Sequence, residues 1–514
     1  MNRPIAMRPA DQACQAQADI CLIVEGCYPH VAGGVSSWID WLLRAHDQYS
    51  FAVISVVSGH EHRKPRYDFP ANLTYFSELV LHGPGLPRTR ATPQAPTSIG
   101  EELANLLTGM VRGGGLAEYR RVVEIASTEN LSLHDLMTSR LSFDVIGRMY
   151  EAIMPHASFL QFFWAWRALF GGLFSVLKFD LPQASVYHAI STGYAGLLAA
   201  RAALKTGRPA AVTEHGIYTN ERRIEILMAD WISDSVEKGL AINDPRTDLR
   251  DLWIKVFEAY ARICYQACTQ ITTLYGDNQE LQLALNAEPH KLKVIANGID
   301  LSRFETLPYA PADALPTVAL IGRVVPIKDV KTFISAAAII REKIPNLRTL
   351  VLGPTDEDPL YFAECCEFTA QLGLEDCLTF TGGVGITNFM PSIHVVALTS
   401  LSEAQPLVLL EAGAAGIPCV ATDVGACREI IEGSRREESA PQPGGYVTDL
   451  VAPDQIADRV YRLLIDEVTR RRFGETLRQR VRSHYASDIA RWKYSTLYQD
   501  LIGRPKAHPG MERM

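Results

Sequence analysis

Glu403 and Glu411 stand eight residues apart in the run Ser402-Glu403-Ala404-Gln405-Pro406-Leu407-Val408-Leu409-Leu410-Glu411-Ala412-Gly413. Pro406 suits the first position of a helix, so Glu403 falls in the loop before it and Glu411 in its second turn. Eight helical residues advance roughly 12 Å at about 1.5 Å each, a span that separates two hydroxyl-bearing ends of one ligand. Carboxylates hold hydroxyls by accepting hydrogen bonds. The helix N-terminus between them points free amides at an anion.

A second run, Gly322-Arg323-Val324-Val325-Pro326-Ile327-Lys328-Asp329, follows the apolar segment TVALI. Strand ends are where ligands of α/β proteins bind. Arg323 and Lys328 supply two cations there, suited to a diphosphate and to its departure as a leaving group. A third run, Gly33-Gly34-Val35-Ser36-Ser37-Trp38, lies between a strand and a helix, where glycines allow close backbone approach to a ligand. Thr213-Glu214-His215-Gly216 ends another apolar strand, which places His215 at a sheet edge. His30 is a weaker candidate of the same kind. No G-x-x-x-x-G-K-[ST] and no full G-x-G-x-x-G after the first strand occurs, so neither P-loop phosphotransfer nor a dinucleotide enzyme is indicated. Asp356-Glu357-Asp358 matches a metal-holding D-x-D literally, but three acids between two prolines read as a solvated turn.

These residues must be positioned by a framework, and the chain supplies one. Short apolar runs such as ICLIVEG, FAVISVVS, AAVTEHG, TVALIGR, RTLVLG, HVVALTS and PCVATDVG alternate with helix-length segments. That pattern gives parallel sheets covered on both faces. For 514 residues the series is too long for one doubly wound sheet, and two Rossmann-like halves are expected. A Pro-rich stretch at 301–316 reads as the linker between them. Residues of about 82–182 break the rhythm with a Pro/Gly-rich opening and helical patterning, and read as a helical insertion in the first half. Within it, Phe159 to Phe179 is long enough to span a bilayer, but Arg167 lies near its centre and Gly171-Gly172 interrupts it. A buried helix pair is expected, with a membrane-docking surface as the alternative.

Composition narrows the class. Apolar residues make up 47%, charged residues 21%, and the net charge is -8, with no basic run for a nucleic acid to bind. The ten cysteines lie mostly in apolar runs and show no zinc spacing, so reduced thiols in a cytoplasmic protein are expected. The first twenty residues hold no signal-peptide core.

Together the Gly33-Gly34 loop, Gly322-Arg323 with Lys328, and Glu403 with Glu411 followed by AGAAGIPCVATDVG resemble a retaining glycosyltransferase of the GT-B fold, family 4 type. The opening LIVEGCYPHVAGGVSSW, with TEHGIYTNER and EAQPLVLLEAGAAGIPCVATDVGACREII, is similar to the cytosolic glycosyltransferases of Pel exopolysaccharide systems. The resemblance implies two Rossmann-like domains facing each other across a cleft. An N-terminal acceptor domain would span 1–296, completed by a C-terminal helix at 487–514, and a donor domain 297–486. It implies that Glu403 contacts the donor hexose and Glu411 the ribose, that Arg323 and Lys328 neutralise the diphosphate, and that backbone amides of Ala404, Gln405 and Leu407 line sugar and phosphate. It implies that His215 reaches the sugar and that Gly33 and Gly34 face the donor phosphates and the acceptor. It further implies a UDP-sugar donor, a glycan acceptor, no metal, no other cofactor and no nucleic acid, with inner-membrane polysaccharide synthesis or export proteins as partners. A UDP-sugar epimerase of similar build, and a nucleotide-sugar-binding subunit docked on a membrane export complex, stay open as alternatives.

Overall fold

The computed structural model describes residues 17–31, 33–59, 64–81, 97–229, 247–311, 314–434 and 442–503. The chain divides into two compact units. Unit 1 holds Met1–Thr273, Asn278–Lys293 and Ser495–Met514, and unit 2 holds Leu274–Asp277 and Val294–Tyr494.

Unit 1 is built on strands β1 (Gln17–Glu25), β2 (Phe51–Val57), β3 (Leu73–Val80), β4 (Gln183–Ala189), β5 (Ala210–Glu214), β6 (Gln270–Thr273) and β7 (Leu292–Val294). They form one sheet in the order β3-β2-β1-β4-β5-β6-β7, and the pairings of β1 through β6 are parallel. Its helices are α1 (Gly34–Ala45), α2 (Thr97–Val111), α3 (Leu116–Thr128), α4 (Leu133–Thr138), α5 (Arg140–Ile153), α6 (Phe159–Lys178), α7 (Tyr194–Thr206), α8 (Tyr218–Met228), α9 (Leu249–Ala267) and α10 (Asn278–Ala284). Unit 2 has strands β8 (Thr317–Ile321), β9 (Arg348–Leu352), β10 (Leu378–Phe380), β11 (Val395–Leu398), β12 (Cys419–Thr422) and β13 (Gly445–Thr448). Their order is β10-β9-β8-β11-β12-β13, again parallel. Helices α11 (Val330–Lys343), α12 (Pro359–Gln371), α13 (Leu407–Ala414), α14 (Cys427–Glu432), α15 (Pro453–Ile465), α16 (Glu467–His484) and α17 (Ser487–Ile502) follow. Each sheet reverses its strand order once, between β1 and β4 and between β8 and β11. Loops at the carboxyl ends of those strands open the crevice where α/β proteins bind ligands.

The apolar strand runs are buried as the sequence pattern requires. All seven residues of β2 are buried, as are all five of β5, because helices cover both faces. The structure adds β3 and β13, which the apolar runs do not reveal. β3 is an edge strand whose Thr74 is exposed and whose Ser77 and Glu78 are half-buried, so its sequence does not read as a continuous apolar run. The unit boundary falls at 293/294 and, within α17, at 494/495, against the expected 296/297 and 486/487. Hydrogen bonds explain the second shift. Ile299 N–H donates to Tyr485 O and Ser487 N–H donates to Ile299 O, both at 2.9 Å, holding the start of α17 in unit 2. The last turns of α17 belong to unit 1, where Tyr498 is buried and its hydroxyl lies 2.9 Å from His188 Nδ1.

The inserted segment between β3 and β4 contains α2 to α6; its opening at 82–96 and Cys14 lie outside the described residues. The expected helix pair at 159–179 is one continuous helix, α6. Gly171 and Gly172 do not interrupt it. A Cβ at Gly172 would clash with the Tyr194 ring, and one at Gly171 would lie 2.9 Å from Met137 Cε. The cost of a helical glycine, about 1 kcal/mol, is offset by this close packing. Tyr194 donates its hydroxyl to Leu169 O at 3.0 Å, and Arg167 donates to Met137 O at 2.6 Å, so the central charge is satisfied internally. α6 is the single described helix long and apolar enough to cross a membrane, and 61% of its most apolar window is buried; it is a core helix of unit 1. The nine described cysteines are all free thiols.

Candidate functional site

In unit 2 the loops after β8 and β11 are stitched together at the strand-order reversal. Leu401 N–H donates to Ile327 O at 2.8 Å, and the Thr399 hydroxyl lies 2.9 Å from both Lys328 O and Asp329 O. Asp329 then caps α11, its carboxylate accepting from Thr332 N–H at 3.3 Å. These bonds fix the turn that carries Lys328, whose ammonium lies 2.5 Å from Glu403 Oε1. The Ser400 hydroxyl donates to the same oxygen at 2.7 Å. Both partners occupy Oε1, and Oε2 of Glu403 has no hydrogen-bond partner among the described residues. The two side chains are 19% and 13% exposed, so the pair is largely shielded yet open at one edge.

Glu403 lies in an irregular loop, since α13 begins at Leu407. Pro406 is the N-cap residue of α13 and not its first helical position, which corrects the expectation from sequence. Only the steps from 407 to 411 are therefore helical, an axial advance of roughly 6 Å. α13 has no side-chain cap and no acidic residue in its first turn, leaving its leading amides for an anion. The side chain of Gln405 is spoken for: Oε1 accepts from Asn297 N–H at 2.7 Å and Nε2 donates to Asn297 O at 3.4 Å. Gln405 and Leu407 can thus contribute backbone groups, as can Ala404, whose carbonyl accepts from Ala426 N–H at 2.8 Å. Glu411 is partly buried, and its carboxylate has no hydrogen bond or ion pair among the described residues. Burial pushes its carboxyl up to about 7, with the nearby Arg303 charge opposing the rise.

Sequence reasoning misses Gly425, which follows β12 with φ +52. A Cβ there would clash with the carbonyl oxygens of both Glu403 and Ala404, so glycine lets the Glu403 loop pass against it. The signal is present in TDVGACREI, but only the packed loops show its use.

Arg323 is placed differently from Lys328. Its guanidinium pairs with Glu357 on the loop after β9 and is 52% exposed. Two members of the acidic triplet have partners within the protein: Asp358 caps α12 by accepting from Tyr361 N–H at 3.0 Å, and Glu357 meets Arg323. Among the described residues no group of three or more His, Cys, Asp or Glu is arranged to hold a metal ion.

In unit 1, Gly33 is the N-cap residue of α1, which again has no side-chain cap and no first-turn acid. A Cβ at Gly33 or Gly34 would meet nothing within 4 Å, so these glycines leave open space before a helix N-terminus. The ring of His215, after β5, stands edge-on to Trp38 of α1, with centroids 4.5 Å apart. Its Nε2 is buried without a hydrogen-bond partner, and burial pushes the imidazole down to about 4. At neutral pH it is an uncharged ring with one unused nitrogen. Its neighbour Glu214 is fully engaged, accepting from Tyr265 Oη at 2.6 Å, Gln282 Nε2 at 2.9 Å and Thr192 Oγ1 at 3.3 Å. His30 meets Glu78 through Nε2, 2.7 Å from Oε1, while its Nδ1 is buried without a hydrogen-bond partner.

Two parallel sheets of Rossmann type, each with candidate groups at its strand-order reversal, define a GT-B fold, and comparison with known proteins agrees. The model for a domain of unknown function, DUF3492, matches residues 18–290, more than half of the chain, and the chain belongs to this family. The model for glycosyl transferases group 1 matches residues 309–480, so unit 2 carries a group 1 glycosyl transferase domain. An N-acetyl-alpha-D-glucosaminyl L-malate synthase of Bacillus anthracis is 34% identical over 96 residues, 19% of this chain and 23% of that protein. A GDP-mannose-dependent alpha-(1-6)-phosphatidylinositol monomannoside mannosyltransferase of Mycobacterium tuberculosis is 28% identical over 220 residues, 40% of this chain and 53% of that protein. The match thus spans from about a quarter to about half of these relatives' lengths. Among solved structures, sucrose-phosphate synthase from Thermosynechococcus elongatus superposes with TM-score 0.54 at 16% identity, covering 94% of this chain and 98% of that one. Anabaena HepE in complex with UDP-glucose gives TM-score 0.53 at 13% identity, covering 94% and 100%. These likenesses establish the fold.

Proposed function

We propose that the protein is a retaining, metal-independent glycosyltransferase that moves a hexosyl unit from a UDP-sugar to a growing exopolysaccharide of the Pel type. The observation that carries this reading is the Lys328–Glu403 pair beside the uncapped start of α13. It sets a cation, a carboxylate oxygen without a partner and a helix N-terminus at one strand-order reversal. In this reading the diphosphate takes Lys328 from Glu403 and is held further by Arg323 and the leading amides of α13. The freed carboxylate of Glu403 accepts hydroxyl protons of the hexose, and Glu411 those of the ribose. His215, neutral and with an unused nitrogen, hydrogen-bonds a sugar hydroxyl. The charge that develops on the leaving phosphate is met by the two cations and the helix N-terminus. The acceptor hydroxyl attacks from the face the diphosphate leaves and passes its proton to a phosphate oxygen, which retains the anomeric configuration. The acceptor is a glycan, and the place of action is cytoplasmic, at inner-membrane polysaccharide synthesis or export proteins.

UDP is favoured by the sequence resemblance, and the HepE structure contains UDP-glucose; the mycobacterial relative is GDP-mannose-dependent. Thermal stabilisation by UDP-, GDP- and ADP-sugars separates these choices, because a ligand selective for the native state raises apparent stability. Product formation from the stabilising donor, with the anomeric configuration read by NMR, completes the test. No stabilisation by any UDP-sugar, or an inverted product, would sink the reading. Conversion of the donor with no acceptor present would favour an epimerase.

A further inference from the structure

A cavity of about 450 Å³ opens in the helical part of unit 1, away from every residue used above, between the end of α2, the end of α5 and one face of α9. Lys255, Glu258 and Arg262 occupy positions i, i+3 and i+7 of α9, so they share a face, and all three line the cavity with Arg112. Three cations against one carboxylate leave a local charge of about +2, in a chain whose net charge is -8.

Helix capping explains only part of this arrangement. Arg262 is 8% exposed and donates through Nε to Gly114 O at 3.2 Å and through Nη2 to Met110 O at 3.3 Å. Arg112 donates through Nη2 to Ala152 O at 2.6 Å. These bonds satisfy carbonyls at or beyond the ends of α2 and α5, as cations near helix C-termini do. A guanidinium has five N–H donors, and the remaining ones on both residues have no partner among the described residues. Lys255 caps nothing; it donates to Thr247 Oγ1 at 3.2 Å. A largely buried guanidinium with unused donors, facing a cavity in the size range of small-molecule sites, is suited to an anion.

We propose that this cavity is a binding site for a phosphate-bearing ligand carrying two negative charges, held by Arg112, Lys255 and Arg262. The three cations favour an anion over a neutral ligand, and Glu258, beside Arg262, repels any larger negative charge. This site does not depend on the donor reading of unit 2.

The test uses the full chain carrying Lys328→Met, which removes one cation of the phosphate site proposed in unit 2, so that any binding left there is common to parent and variants. Glycerol 3-phosphate is titrated by calorimetry into this parent and into the same chain with Lys255→Glu or Arg112→Gln. Both added changes are at exposed positions, and circular dichroism checks their folding. A dissociation constant of millimolar or below in the parent, weakened at least about tenfold by each change, is the expected result. A parallel arm measures co-sedimentation with vesicles of equal phosphatidic acid, whose phosphomonoester can carry two negative charges, and phosphatidylcholine. Vesicle binding lost in Lys255→Glu assigns the phosphate to a lipid headgroup, and glycerol 3-phosphate binding alone assigns it to a soluble ligand. No binding of either probe, or binding equal in parent and variants, overturns the proposal.

Discussion

The Lys328 ammonium and the Ser400 hydroxyl converge on one oxygen of Glu403, at 2.5 and 2.7 Å. In the proposed reading, Lys328 and Glu403 are a pair whose members take separate tasks once a diphosphate arrives. A purely structural ion pair can be reversed, but a pair that must release its cation to phosphate and its carboxylate to a sugar cannot. Lys328→Met and Glu403→Gln should each lower turnover by about 10²–10³-fold, the range for loss of one preorganised charge-stabilising group. The double exchange Lys328→Glu with Glu403→Lys should recover thermal stability lost by either single exchange and recover no turnover. Steady-state rates beside melting curves check this, and rates recovering together with stability would return the pair to a structural role.

Glu411 gives stability a pH dependence of defined sign. Its carboxyl is raised by burial to about 7, against about 4.5 in the unfolded chain. Between those values the folded state holds a proton that the unfolded state releases, so this group's contribution falls as pH rises through the window. Glu411→Gln should match wild type near pH 4 and exceed it at pH 8 by on the order of 1–2 kcal/mol. That figure takes about 1.4 kcal/mol for each pH unit across the window and discounts it for partial exposure. Urea midpoints of unit 2 at the two pH values measure it. If Glu411 meets the ribose as proposed, UDP binding should weaken in the same variant, since a neutral amide is a poorer acceptor for hydroxyls.

Gly425 couples backbone conformation to the site. Alanine there must adopt φ near +52 and intrude on the carbonyls of Glu403 and Ala404. Gly425→Ala should weaken UDP-sugar binding at least about tenfold, about 1.4 kcal/mol, by displacing the Glu403 loop. Calorimetric titration with UDP-glucose checks it; unchanged affinity would show that the loop tolerates the intrusion.

Gly172 separates local from tertiary preference. Alanine is the better helix former by about 1 kcal/mol, yet its Cβ would clash with the Tyr194 ring. Overpacking of this kind costs about 1–3 kcal/mol. Gly172→Ala should therefore lower the melting temperature of unit 1, and Gly172→Ala with Tyr194→Leu should regain part of the loss.

Much of the framework is legible in residue order. The central strands are near-continuous apolar runs because both faces are covered, and β2, β5 and β11 declare themselves. Edge strand β3 does not, because Thr74, Ser77 and Glu78 answer to partial exposure. Gly171-Gly172 misleads for the same kind of reason: a local rule about helix breaking is overruled by a ring packed on the glycine face. In the site, Lys328 and Glu403 are identifiable by type and place. The Arg323–Glu357 pair and the Gln405–Asn297 bonds are not, since each joins loops far apart in sequence and depends on packing. The spacing of Glu403 and Glu411 conveys two carboxylates near one helix but overstates the helical length between them.

The placement of Tyr498 bears on how the protein is made. The turn of α17 that seats this ring beside His188 is encoded after the whole of unit 2, so unit 2 is in effect inserted into unit 1. On the ribosome, unit 2 can finish folding while unit 1 still lacks its last segment and exposes the apolar socket formed by His46, Tyr49 and Phe51, the rings that meet Tyr498. A stop codon just before Tyr498 would thus damage the unit synthesised first, and a circular permutant that begins with this helical turn would let that unit mature before the second emerges.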